Sequence, residues 1–216
     1  MFKSLSSILQ TSRGAYFSRC GLYRYLLWRT IPRAREEAGT IAWLMLNPST
    51  ADANADDPTI RRCLGFSRAW GYRRLLVVNL FALRATQPAV LARARSPVGK
   101  ENDRAIIVAA GAADLMVCAW GVHGSLRERD QEVHALLNNA GTELRHVGVT
   151  RSGHPRHPLY LRASVRPMRW GSHSKSIDAS LHSAETSNEN FLHAGAGAVT
   201  DRSAASIDFR SKARRF

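Results

Sequence analysis

Three short, unbroken apolar runs constrain this chain more than any other feature: residues 41–46 (IAWLML), 75–78 (LLVV) and 115–119 (LMVCA). A run without alternation offers no polar face, so a strand made from it must be covered on both sides. That is the environment of a parallel sheet sandwiched between helices, and the intervening segments supply the helices. Asp57 followed by Pro58 places a capping carboxylate before a proline at the first helical position. Ile60, Cys63 and Leu64 then share one face and Gly71 follows Trp70, which predicts a helix over about 58–70. Asn102 is placed to cap a second helix through about Ala110. Ser125 to Glu128 (SLRE) has capping-box spacing and opens a third, with Val133, Leu136 and Leu137 inward. Residues 143–147 (ELRHV) read as a fourth strand at an edge, and residues 23–28 as an aromatic strand ahead of the core. Strands alternating with helices predict a three-layer α/β domain around a central, mostly parallel sheet of about four strands.

The 216 residues carry 31 Lys and Arg against 17 Asp and Glu, a formal charge of +14, and all but four of the cations are arginine. Arginine's planar fork pairs two oxygens of a phosphate or carboxylate, so nucleic acid or a nucleotide is the first partner this charge suggests. A genomic preference for arginine codons gives the same count. Residues 163–216 hold ten Ser but only nine Leu, Ile, Val or Phe in 54 positions, too few to build a core. The expected organisation is therefore an N-terminal extension at 1–15, one α/β domain at 16–161 and a disordered, basic, Ser-rich tail at 162–216. Residues 1–162 keep +11 of the charge, so the domain is basic in its own right. Cys20, Cys63 and Cys118 are odd in number and form no C-x-x-C pair, which points to a reducing cytoplasm and away from disulfide scaffolds or Cys-rich zinc sites. The longest mostly apolar stretch, residues 105–120, includes Asp114 and is shorter than the ~20 residues of a membrane span, so no membrane partner is expected.

In an open parallel sheet, ligands bind outside the carboxyl ends of the strands, so the loops after the strands hold the candidate residues. Asn47 precedes Pro48 and presents a carboxamide that either holds a water or carbonyl in the crevice or closes its own loop; Ser49 and Thr50 stand beside it. Asn79 repeats the arrangement, with one donor and one acceptor suited to the amide edge of a planar base or to nearby backbone. Asp52 and Asp56 either orient water, bind magnesium or stay solvated, the last being favoured, and Asp57 is the helix cap. Phe81 and Trp120 either stack on a base or belong to the core. His154 and His157 are three apart, but Pro155 and Pro158 rule out the helical geometry of a metal pair. A histidine on such a rigid loop suits donation to a developing anion, or a bond to its own loop. Arg84, Arg151 and Arg156 flank the same rim and either clamp phosphate or remain solvated. Neither a metal nor a cofactor is expected.

The runs LMLNPSTADANADDPTIRRC, VVNLFALRATQP, SPVGKENDR, AWGVHG and GVTRSGHPRHPLYL together resemble the bacterial family catalogued as domain of unknown function 1643, over about residues 16–161. More remotely, the order strand-Asn-Pro, strand-Asn, strand-small-Gly and loop-His-Pro is similar to the uracil-DNA glycosylase superfamily. That resemblance implies a glycosylase-like α/β fold around an unstacked base. It implies that Asn47, with Asp52 as partner, positions the attacking water, that Asn79 reads the base edge and that His157 stabilises the departing base anion. The chain departs from the glycosylases in having Leu159 after His157-Pro158, where they carry a small residue, and in lacking their Gly-rich first motif. Three functions follow as expectations: a glycosylase-like hydrolase acting on a nucleobase in DNA or on a nucleotide, a non-catalytic nucleic-acid or nucleotide-binding module, and a small-molecule hydrolase or transferase unrelated to nucleic acid.

Overall fold

The computed structural model describes residues 10–35 and 37–170. The expected disorder and basic end of residues 171–216 lie outside the described residues. Seven strands form one sheet in the spatial order β1-β2-β4-β3-β5-β6-β7. They are β1 (Arg13–Phe17), β2 (Arg24–Thr30), β3 (Thr40–Met45), β4 (Arg74–Asn79), β5 (Leu115–Cys118), β6 (Leu144–His146) and β7 (Met168–Arg169). The four runs singled out in the sequence are β3 to β6, mutually parallel. The sheet is wider than the expected four strands because antiparallel strands extend it on both sides: β2 on β4, β1 on β2 and β7 on β6. β7 lies beyond Leu161, where composition placed the end of the domain. An average over a long Ser-rich segment hides a stretch of a few residues that Trp170 and Val165 tie to the core.

Burial on two faces follows from the two-residue period of the strands. On one face Leu26, Ala42, Leu44, Leu76, Val78 and Cys118 pack with Leu91 of α2 (Pro88–Arg93), Ile106 of α3 (Asn102–Gly111) and Val133 and Leu137 of α4 (Arg129–Asn139). On the other, Leu27, Ile41, Trp43, Met45, Leu75, Val77 and Val117 pack with Ile60, Cys63 and Phe66 of α1 (Pro58–Ala69). The three layers expected from the alternating pattern are thus present. The start of α1 is as predicted, with Asp57 Oδ1 accepting the Ile60 amide at 2.8 Å and Pro58 in the first turn. Its far end is fixed by stacked rings, Trp43 on Trp70 at 5.6 Å and Phe66 on Trp70 at 5.4 Å.

Two helix starts differ from expectation, and both are overridden by distant partners. Asn102 does not cap α3; it lies inside the first turn, fully buried, and its Nδ2 donates to the carbonyls of Asn79 and Leu80, 2.9 Å each. The Ser125 to Glu128 capping box does not form. Residues Val122–Glu128 follow a 3-10 path interrupted at Leu126, and Arg127 and Glu128 adopt left-handed φ of 56° and 57° before α4 begins at Arg129. Arg127 reaches the carbonyls of Ala92 and Ala94, and Arg129 is buried against the Leu80 carbonyl and paired with Asp103 and Glu132. These contacts fix the chain in place of a local cap. Gly124 is required here, since a Cβ at that position would overlap the Trp120 indole.

Candidate functional site

A cavity of about 430 Å³ opens where β3, β4 and β5 end, within the range of small-molecule sites. Met45, Leu46 and Ile60 give it an apolar floor, and its polar wall comes from all four loops expected to converge. Asn47 and Ser49 follow β3, Asp57 and Thr59 begin α1, Asn79 ends β4, Thr86 precedes α2, Trp120 and His123 follow β5, and His157 and Tyr160 close the far side. Arg24 enters from β2. A larger depression of about 660 Å³ lies at the opposite end of the sheet around Pro32, Arg33, Arg68 and Tyr72. Among the described residues that line it, no buried side-chain polar atom lacks a partner, so it is not the better site.

Three buried polar atoms without a hydrogen-bond partner belong to residues that line the cavity: Asn79 Oδ1, Arg24 Nε and Trp120 Nε1. Each such atom costs about 1–3 kcal/mol when left unpaired, so their convergence on one cavity is a mark of function. Asn79 is 2% exposed. Its backbone carbonyl is held by Asn102, which aims the strand end, while the side chain is left to the cavity. Arg24 is also 2% exposed; its Nη1 donates to the Ala51 carbonyl at 2.8 Å. Burial lowers its pKa to about 10, partly opposed by the charge of Asp57, so it remains a cation at neutral pH. Trp120 is positioned from behind by Trp170, ring centroids 4.9 Å apart.

His157 is partly buried, and its Nδ1 faces the Leu159 amide at 3.4 Å, which leaves the proton on Nε2. Burial lowers its pKa, against the opposing charge of Asp57, so the imidazole is neutral near pH 7. Asn47 is used differently from Asn79: its Nδ2 donates to the carbonyls of Pro48 at 3.0 Å and Ala85 at 2.6 Å, leaving Oδ1 for a ligand or water.

The structure brings Asn47, Ser49, Asn79, Trp120 and His157 together and leaves the other expected residues apart. Asp52 lies outside the cavity; its Oδ1 accepts the Asn54 and Ala55 amides at 2.7 and 2.8 Å, which holds its carboxyl below the usual range. The carboxylate on the cavity wall is Asp57. Phe81 is fully buried in the core and offers no face to a base. His154 faces Asp130 at 3.7 Å away from the cavity. Thr50 and Arg84 line a neighbouring groove with Gly21 and Leu22, and Arg84 lies over the Phe17 ring. Arg151 and Arg156 are exposed, outside the cavity. Arg24, Thr59, Thr86 and Tyr160 were not anticipated. A buried-looking arginine in a strand otherwise largely apolar (RYLLWRT) was the one available signal, and it did not separate Arg24 from Arg29.

Fold and site together define an α/β domain with a polar crevice at the carboxyl end of a parallel sheet. Residues 24–159 match the model of the protein family of unknown function DUF1643, and the chain belongs to that family. Comparisons with curated proteins and with solved structures returned no match. No helix among the described residues is long and apolar enough to cross a membrane.

Proposed function

We propose that the cavity binds a nucleobase and that the domain is a glycosylase-like hydrolase with a uracil-DNA-glycosylase-like arrangement, acting on a nucleotide or on a base unstacked from DNA. The observation that carries this reading is Asn79, a buried carboxamide whose Oδ1 has no protein partner and whose donor and acceptor match the amide edge of a base. Neutral His157, protonated on Nε2, donates to the base as negative charge develops on it. Water held by Asn47 Oδ1, with Asp57 as the nearby carboxylate, adds its oxygen to the sugar carbon. The carbon–nitrogen bond breaks, its electron pair leaves with the base, and the proton lost by water ends on the released base. The exposed Arg84, Arg151 and Arg156 lie at the same end and suit phosphate contacts.

A second reading, a nucleotide-binding module without turnover, is favoured by one observation: Asp52 is outside the cavity and the Asp57 Oδ1 already caps α1, so no carboxylate is wholly free to activate water. An alkaline strand-cleavage assay on oligonucleotides containing uracil, mismatched thymine or hypoxanthine, with base release from free nucleotides followed in parallel, separates the two. Base release by the wild type and a rate reduced ~10²–10³-fold in His157→Ala are expected. Binding without release of any base would establish the binding module instead.

A further inference from the structure

We infer that Arg24 holds a phosphate of the ligand inside the same cavity, so that the domain recognises a nucleotide and not a bare base or nucleoside. The assignment of that phosphate to a nucleotide rests on the nucleobase reading above; the anion site itself rests on Arg24. Arg24 is a cation, 2% exposed, on the cavity wall. Among the described residues it is in ion-pair contact with no carboxylate, and its Nε has no hydrogen-bond partner. Only the Nη1 corner is engaged, by the Ala51 carbonyl. A buried guanidinium in that state retains its desolvation penalty unless a ligand supplies the missing oxygens.

The unpaired part of the guanidinium determines what fits. The Nε side of a guanidinium presents parallel N–H groups to a two-oxygen acceptor, the geometry of phosphate and carboxylate. Ser49, Thr59 and Thr86 line the same cavity, and their hydroxyls are neutral donors that a multi-oxygen anion can use. Asn79 on β4 offers carboxamide recognition within the same enclosure, so base and phosphate of one small molecule can be read at once. The phosphate can belong to a free nucleotide or to a residue of a nucleic-acid strand.

Calorimetric titration of the full chain distinguishes these. The probes are the common nucleosides, their 5′-monophosphates, inorganic phosphate and a short single-stranded oligonucleotide, each against wild type, Arg24→Lys and Arg24→Met. A monophosphate is expected to bind roughly tenfold or more tightly than its nucleoside, with Arg24→Met bringing the two together and Arg24→Lys recovering only part of the gap. A cooperative urea unfolding transition shows that a variant is folded. Preference for the oligonucleotide over the monophosphate, lost in Arg24→Met, supports the same phosphate contact within a strand. Phosphate-containing probes that bind no better than nucleosides, or a preference that survives Arg24→Met, overturns the inference. Base release failing while the phosphate preference persists would remove the hydrolase and leave Arg24 in place; inorganic phosphate competing in wild type but not in Arg24→Met would support the anion site even if no nucleoside bound.

Discussion

The two ends of β2 each bury an arginine against the loop that follows β3, and the two are treated in opposite ways. Arg29, 3% exposed, donates from Nε to Asp56 at 2.7 Å, from Nη1 to the carbonyls of Gly14 and Trp28, and from Nη2 to those of Asp52 and Ala55. Arg13 adds donors to the carbonyls of Ala53 and Asn54 in the same loop. Arg24 spends one nitrogen on Ala51, and its buried Nε has no partner. The asparagines show the same division: the Asn47 Nδ2 is taken up by the carbonyls of Pro48 and Ala85, and the Asn79 Oδ1 accepts from no donor among the described residues. Residue type is therefore equal within each pair, and both arginines are buried. What separates a scaffold residue from a ligand-facing one is whether the protein completes its hydrogen bonds.

The comparison can be broken by stability measurements. Arg29→Met should cost about 3–5 kcal/mol in urea unfolding, since it strands Asp56 and several carbonyls; a loss below about 1 kcal/mol would remove the distinction. Asn47→Ala should cost about 1–2 kcal/mol, because the carbonyls of Ala85 and Pro48 lose their donor. Arg24→Met and Asn79→Ala should fall within about 1 kcal/mol of wild type, because each removes a group that is already incompletely paired, while Asn79→Ala loses ligand binding at the cavity and Arg24→Met loses the preference for a phosphate-bearing ligand. A large destabilisation by either would place it with the scaffold.

The smallest effect is in pH dependence, and it places the two regions in different windows. His157 in the cavity has a lowered pKa, so folding favours its neutral form. Its contribution is complete above the ordinary histidine value of 6.5 and is lost as pH falls from there through the folded value. Asp52 in the stapled loop also has a lowered pKa but is stabilising as the anion. Its contribution is present above the ordinary 3.8 and is lost as pH falls through its folded value. Urea midpoints against pH should lose the first slope in His157→Gln and the second in Asp52→Asn; a slope near pH 6 unchanged in His157→Gln would show that its burial is not felt.

Much of this was legible along the chain. The three apolar runs and residues 143–147 identified the four parallel strands, Asp57-Pro58 identified the start of α1, and the rule that ligands meet strand ends led to Asn47, Asn79, Trp120 and His157. These features depend on periodicity and on residues within a turn or a strand of each other, which a linear sequence records directly. The antiparallel β7 was hidden because two residues pairing at an edge leave no period to read.

Which polar groups remain unpaired was decided only by the tertiary structure. Asn47 meets Ala85 across 38 positions, Arg24 meets Ala51 across 27, and Asn102 reaches back to Asn79 across 23. Phe81 joined the core for the same reason. The sequence by itself determined where polar side chains would gather, because local pattern sets strand ends and the sheet aligns them. Their division into staples and ligand-facing groups required the fold, because a hydrogen bond is satisfied by whichever partner arrives, and those partners come from distant parts of the chain.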